Sequence, residues 1–165
     1  MTGSAGTILV LTVGGSLAPL ESMIREHAGA DLGHVYFLAS RDLPGQPGSA
    51  RSLRNETVFE ARLCPKCRAV LQPARRMPSL VEATGLSAGQ YTIEEVGDPD
   101  AFGEIWSAVA AVAADIAART GDDPGAARPR VLANIIGGTK VMAFTLGLYA
   151  ARARGHRGHS PDPAG

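Results

Sequence analysis

The chain has 165 residues with 16 basic and 16 acidic side chains, so its formal net charge is zero. Hydrophobic residues make up 45% and charged residues 19%, which excludes overall disorder and a protein that coats duplex nucleic acid through uniform positive charge. No apolar run reaches the roughly 18 residues that a membrane span needs, and the N-terminus lacks a cationic flank, so we expect a cytoplasmic protein with no membrane partner.

The first predicted element is a strand at 7–13, a continuous apolar run typical of a strand buried on both faces. It ends at the turn Gly14-Gly15-Ser16. The apolar spacing around and after Pro19 then predicts a helix that Ser16 could cap. The inner face of this helix carries Leu20, Met23, Ile24 and His27. A second short apolar run predicts a strand at 34–40.

Residues 50–88 fit the pattern less well, and we interpret them as an insertion or a lid. Within them the sequence predicts a helix near 53–63, a cysteine pair and a short helix at 79–84. A strand at 91–96 precedes the clearest predicted helix, which follows Asp98-Pro99. Its inner face carries Phe102, Ile105, Trp106, Val109, Val112 and Ile116.

A fourth strand at 130–136 runs into a second glycine turn, Gly137-Gly138, and a last helix. The inner face of that helix carries Val141, Phe144, Thr145, Leu148 and Tyr149. Strands that are joined by helices pair in parallel with right-handed crossovers, so we predict an α/β, Rossmann-like parallel sheet with helices on both faces. The domain spans 1–154, and 155–165 forms a tail expected to be mobile.

Both glycine turns follow the carboxyl end of a strand and begin a helix. In open parallel sheets this edge binds ligands, because glycines let backbone N–H groups and a helix N-terminus approach an anion. The turns add the hydroxyls of Ser16 and Thr139 and the cation of Lys140. The alternative is that the hydroxyls only cap the helices and the glycines only make room.

Two common nucleotide motifs are excluded. A P-loop ending at Lys140 would need glycines at 134 and 139 and a hydroxyl at 141, where the chain has Asn134, Thr139 and Val141. The first turn lacks the third glycine of the dinucleotide fingerprint.

Charge is segregated along the chain. The formal net charge is +5 over residues 41–76 and again over residues 124–165, whereas it is −8 over residues 77–123 and −2 over residues 1–40. This pattern fits solvated faces of different sign as well as a shared anion site.

The chain has Thr12-Val13-Gly14-Gly15-Ser16-Leu17-Ala18-Pro19 after the first strand and Asn134-Ile135-Ile136-Gly137-Gly138-Thr139-Lys140-Val141-Met142 at the end of the fourth. These two stretches resemble the motifs of CRISPR-associated Rossmann-fold (CARF) sensor domains. The chain departs from the family at Ile136, where a threonine is common. The resemblance implies a homodimer that binds a cyclic oligoadenylate, the second messenger of type III CRISPR antiviral signalling, across its two-fold axis.

Some members of that family are ring nucleases that cleave their ligand without a metal, and for this reaction we expect Ser16 to orient the attack and Lys140 to neutralise charge. The ligand-binding residues that we predict are Gly14, Gly15, Ser16, Arg41, Asn134, Gly137, Gly138, Thr139 and Lys140, with Tyr91 as a further adenine contact. The alternatives are a non-catalytic nucleotide sensor that acts through a separate effector protein and a small-nucleotide hydrolase of unrelated chemistry.

Cys64-Pro65-Lys66-Cys67 is half of a zinc-knuckle pattern, and the chain has no other cysteine. A four-thiolate site would need two protomers, and His156 with His159 could otherwise complete the ligand set. The other interpretation is a pair of unliganded thiols and no cofactor.

Overall fold

The computed structural model describes residues 6–29, 31–59, 61–121 and 128–155. Its central sheet consists of four parallel strands, β1 (Thr7–Thr12), β2 (Leu32–Ser40), β7 (Tyr91–Val96) and β8 (Arg130–Asn134), in the order β7-β2-β1-β8. The helices are α1 (Ala18–His27), α2 (Ala50–Arg54), α3 (Leu80–Thr84), α4 (Phe102–Thr120) and α5 (Lys140–Gly155). The predicted α/β fold with a parallel sheet is confirmed.

Helices cover both faces of the sheet, as predicted. Because successive side chains of a strand point to opposite faces, β1 contributes to two cores. Leu9 and Leu11 pack in the first core, with side chains of α1, α2 and α3: Leu20, Ile24, Leu53 and Leu80. Ile8 and Val10 pack in the second core, with side chains of α4 and α5: Ile105, Val109, Val112, Met142 and Leu146.

The predicted inner faces of α4 and α5 are partly wrong. In α5 the buried side chains are Met142, Thr145 and Leu146, whereas Phe144 is 64% and Leu148 is 43% exposed. Apolar residues surround most of this helix, so spacing alone does not select the face that meets the sheet. In α4, Phe102 is likewise exposed.

The insertion contains a β-arm where the sequence predicted a helix near 53–63. Helix α2 ends at Arg54, and the chain then forms β3 (Thr57–Phe59), β4 (Arg62–Leu63), β5 (Val70–Gln72) and β6 (Arg75–Met77). Strand β3 pairs antiparallel with β6, and β4 pairs antiparallel with β5. Thr57, Val58 and Phe59 are β-branched or aromatic residues, which favour a strand, and here they pair with β6.

The short helix predicted at 79–84 is confirmed as α3. The Ser79 hydroxyl accepts a hydrogen bond from the Glu82 N–H at 3.2 Å, and Gly85 ends the helix in the left-handed conformation. The predicted tail lies outside the described residues beyond Gly155, as do His156 and His159. Within the described ranges, no helix has the length and apolar character needed to cross a membrane.

A polar network joins the end of α4 to β2. The Tyr36 hydroxyl donates to Asp115 at 2.5 Å, and the Arg119 guanidinium donates to the same carboxylate at 2.8 Å. The buried ring of His34 meets the Thr92 hydroxyl at 2.9 Å. Burial raises the pKa of Tyr36 to about 12, with the Asp115 hydrogen bond adding to the shift. Burial, followed by the charge of Arg119, holds the pKa of His34 below its ordinary value.

This lowered pKa predicts a stability loss in mild acid. As the pH falls below about 6.5, the unfolded chain takes up a proton at His34 that the folded chain does not, so the free energy of unfolding falls. Urea denaturation at a series of pH values measures this slope. His34→Asn, which keeps a polar group beside Thr92 without a titrating ring, should have a shallower slope over pH 5–7, and an unchanged slope would contradict the assignment.

Candidate functional site

The glycine turns meet where the strand order reverses. The chain builds the sheet outward from β1 through β2 to β7, and then returns to place β8 on the other side of β1. In such a sheet the crevice beyond the carboxyl ends of the two strands at the reversal is the usual ligand site. Here those strands are β1 and β8, which are followed by Gly14-Gly15-Ser16 and by Gly137-Gly138. The two turns therefore lie at one edge of the sheet.

The turns are in backbone contact. A Cβ atom at Gly14 would lie 2.6 Å from the Gly138 nitrogen and 3.2 Å from its Cα. A Cβ at Gly137 would overlap the carbonyl oxygen of Thr12, and Gly138 has a φ of +75°. These three glycines are thus required by close approach and, at Gly138, by a left-handed backbone.

Thr12, which is not among the predicted site residues, joins the two turns. Its buried hydroxyl donates to the carbonyl oxygen of Gly137 at 2.5 Å. The only signal in the sequence is a hydroxyl residue at the end of an apolar strand, directly before the glycines. The partner lies 125 positions away, so the signal does not identify the contact.

The side chain of Asn134 stabilises the second turn through contacts with the protein itself. It is buried, its Oδ1 accepts from the Ile136 N–H at 2.8 Å, and its Nδ2 lies 3.0 Å from the Met23 sulfur. Both ends of the amide therefore contact the protein. The strand predicted at 130–136 stops here because this side-chain hydrogen bond turns the backbone.

The hydroxyls of Thr139 and Ser16 differ in their hydrogen bonds: that of Thr139 caps a helix and that of Ser16 does not. The Thr139 hydroxyl donates to the Pro99 carbonyl at 2.6 Å and accepts from the Met142 N–H at 3.3 Å, so Thr139 caps α5. Ser16 was predicted to cap α1, but Leu17 occupies the cap position and no side chain caps this helix. The exposed Ser16 hydroxyl has no hydrogen-bond partner among the described residues.

Lys140 is the first residue of α5, and it is exposed at the same turn. Its ammonium group forms no ion pair with any residue that the structure describes. A cation at a helix N-terminus is disfavoured by the helix dipole by about 0.3–1 kcal/mol. A bound anion would reverse this penalty, since it would interact favourably with both the dipole and the ammonium.

Other predicted ligand residues lie away from the contact between the turns. Arg41 follows β2, and its guanidinium lies against Gly97 at the end of β7, within 2.5 Å of where a Cβ on that glycine would be. Tyr91 begins β7, so it lies at the opposite edge of the sheet, and its ring packs on Phe37 at 6.2 Å. The Trp106 ring lies 5.2 Å from that of Tyr149 and also stacks on Phe102.

An open depression of about 460 Å³ lies between β7 and the start of α4. Its acidic lining includes Glu94, Glu95 and Glu104. Glu95 pairs with Arg54 at 2.5 Å, and Glu104 accepts from the Gly97 and Asp98 N–H groups at 2.9 and 3.1 Å. This lining repels a phosphate, so the depression is a poorer anion site than the crevice.

Comparison with models of protein families gives no match for this chain, and comparison with curated proteins gives none either.

The contact between the turns predicts opposite outcomes for two neighbouring glycines. Gly14→Ala should lower the free energy of unfolding by about 1–3 kcal/mol, because its methyl group would collide with the backbone of Gly138. Gly15 has open space around its Cβ position, so Gly15→Ala is the matched control and should change stability by less than about 0.5 kcal/mol. Urea denaturation compares the two variants. Equal changes in the free energy of unfolding for the two variants would contradict the backbone contact.

Proposed function

We propose that the chain binds a cyclic oligoadenylate in the crevice between β1 and β8. The observation that carries the proposal is the backbone contact of Gly14 with Gly138 at the reversal of strand order. It brings the N-termini of α1 and α5 to one edge of the sheet, where their unpaired N–H groups favour phosphate.

The charge at the crevice supports a phosphate ligand. Lys140 has no anionic partner among the described residues, and an ammonium to phosphate contact is a charge-assisted hydrogen bond. The Ser16 hydroxyl is exposed and adds a neutral donor. A ring of several phosphates offers more such contacts than a mononucleotide does.

We further propose that the chain acts as a two-fold dimer. A cyclic oligoadenylate with an even number of nucleotides has two-fold symmetry of its own, so two copies of the crevice can contact equivalent halves of the ring. The elements that flank the second turn carry exposed apolar side chains: Val131 on β8, Ile135 and Ile136 just before Gly137, and Phe144 and Leu148 on α5. Ile136 is 74% exposed. Large exposed apolar side chains of this kind, where they adjoin, are typical of a surface that a partner covers.

Lys140→Ala should weaken binding of cyclic tetra-adenylate about tenfold to a hundredfold, because a charge-assisted phosphate contact contributes about 1.5–3 kcal/mol. Calorimetry measures the affinity, with a stoichiometry of one ring per two chains expected. Lys66→Ala removes the only other lysine of the chain, which lies on the β4–β5 turn outside the four-stranded sheet, and it should bind as the wild type does. Equal affinity of Lys140→Ala and wild type would reject Lys140 as a phosphate ligand.

The Ser16 hydroxyl has no hydrogen-bond partner among the described residues, which supports a ring nuclease. In this reaction a ribose 2′-hydroxyl of the ligand loses its proton and attacks the adjacent 3′-phosphate. The bond from phosphorus to the 5′-oxygen breaks, and that oxygen takes up a proton. The products end in a 2′,3′-cyclic phosphate and a 5′-hydroxyl. Ser16 would align the attack, and Lys140 would stabilise the charge on the phosphorane.

Ser16→Ala should slow cleavage more than it weakens binding, since an aligning group acts mainly in the transition state. Single-turnover cleavage in EDTA, followed by separation of the products, measures the rate, and calorimetry measures the affinity. Activity in EDTA with a 2′,3′-cyclic phosphate product is expected. If the wild type binds the ring and leaves it intact over hours, the catalytic assignment is wrong and the chain is a sensor that acts through another protein.

A further inference from the structure

The β-arm carries a cysteine pair that the proposed function does not use. Cys64 directly follows β4, and a tight turn brings the chain back to β5. The Cys64 N–H donates to the Ala69 carbonyl at 2.8 Å, and the Arg68 N–H donates to the Cys64 carbonyl at 2.9 Å. Arg68 has a φ of +60°, and it is the one non-glycine residue with positive φ in the described ranges. A strained conformation of this kind persists where the surroundings hold it in place.

The turn carries both cysteines of the chain. Cys64 and Cys67 are three positions apart on the turn that the hydrogen bonds of Cys64 with Ala69 and Arg68 close. Both are free cysteines, and Cys67 is exposed while Cys64 is half-buried. Two cysteines with this C-x₂-C spacing on a tight turn can bind one metal ion.

The described apolar side chains of β4 and β5 are not packed in a hydrophobic core. Val70 is 61% and Leu71 is 56% exposed, and Leu63 is exposed as well. An isolated two-stranded hairpin is marginally stable in water, and small units of this kind are commonly held by a metal or by disulfides. A metal on the turn would supply the missing stabilisation, because the free energy of metal binding becomes folding free energy.

We propose that Cys64 and Cys67 bind a Zn²⁺ ion through both thiolates. Zn²⁺ in structural sites takes four ligands in tetrahedral geometry, and a C-x₂-C pair on a turn supplies two of them. In the part of the chain that the structure describes, no group of three or more Cys, His, Asp and Glu side chains is placed to hold a metal. The remaining two ligands come either from the same pair of a second copy or from solvent, and the stoichiometry distinguishes these sources.

The test is the zinc content of the full-length chain, purified with a thiol-free reductant, loaded with Zn²⁺ and desalted. Elemental analysis should give one ion per two chains for a shared four-thiolate site and one ion per chain for the other source. Cys64→Ser and Cys67→Ser should each reduce the bound zinc at least about tenfold, while Lys66→Ala, which keeps both sulfurs, should retain it. Cd²⁺ in place of zinc should give thiolate charge-transfer absorption, with an intensity that reports the number of sulfur ligands.

A zinc content of the wild type that does not exceed the background would overturn the proposal. A zinc content of either serine variant equal to that of the wild type would overturn it too. A Cys64–Cys67 disulfide that persists in the reductant would overturn it as well. Binding of cyclic tetra-adenylate by the serine variants is measured alongside. Loss of zinc with unchanged ring affinity supports the metal site independently of the crevice, whereas zinc binding without ring binding contradicts the proposed function alone.

Discussion

The backbone contact between the Gly14 turn and the Gly137-Gly138 turn is the constraint on which the crevice depends. Strands β1 and β8 are neighbours in the sheet, so the two loops that leave them must pass at backbone distance. Any Cβ at Gly14 or Gly137 would push the loops apart and would separate the N-termini of α1 and α5. The hydrogen bond from Thr12 to Gly137 fixes the same contact from the strand side. The glycines therefore serve packing, and in the proposed function their N–H groups would face the phosphates of the ligand.

The N-termini of the two helices that start at the crevice differ in their side-chain caps. Thr139 caps α5 and connects it to the Pro99 carbonyl, so this helix end is fixed without a ligand. No side chain caps α1, and neither Ser16 nor Lys140 has a partner within the described residues. The proposed phosphate site would therefore combine one helix N-terminus that a side chain caps with one that still has N–H groups to donate. The acidic lining between β7 and α4 adds a repulsive boundary on the other side of the sheet edge.

Strand and helix order could be predicted from the sequence because buried parallel strands are continuous apolar runs and the turns between them are marked by glycine. The placement of the two turns at one edge follows from the same pattern. The face of α5 could not be predicted, since Phe144 and Met142 are equally apolar and only contact with the sheet distinguishes them. The β-arm was missed because its strands are two or three residues long.

Side-chain partners were the least predictable feature of the site. Asn134 contacts Met23, 111 positions away, and Arg41 turns toward Gly97 and away from the glycine turns. Thr139 takes the capping role that was also expected of Ser16, because its hydroxyl reaches Met142 within its own helix. The contacts of Asn134 and Arg41 depend on the packed sheet, so local spacing carries no information about them.

The central claim is that the crevice between β1 and β8 binds the ring, and amide resonances test it most directly. In a titration of the ¹⁵N-labelled chain with cyclic tetra-adenylate, the largest shifts should fall on the backbone N–H groups of Gly15, Ser16, Gly138, Thr139 and Lys140. Shifts centred on the acidic stretch around Glu94 and Glu104, with these five resonances unmoved, would contradict the account, as would a spectrum that the ring leaves unchanged.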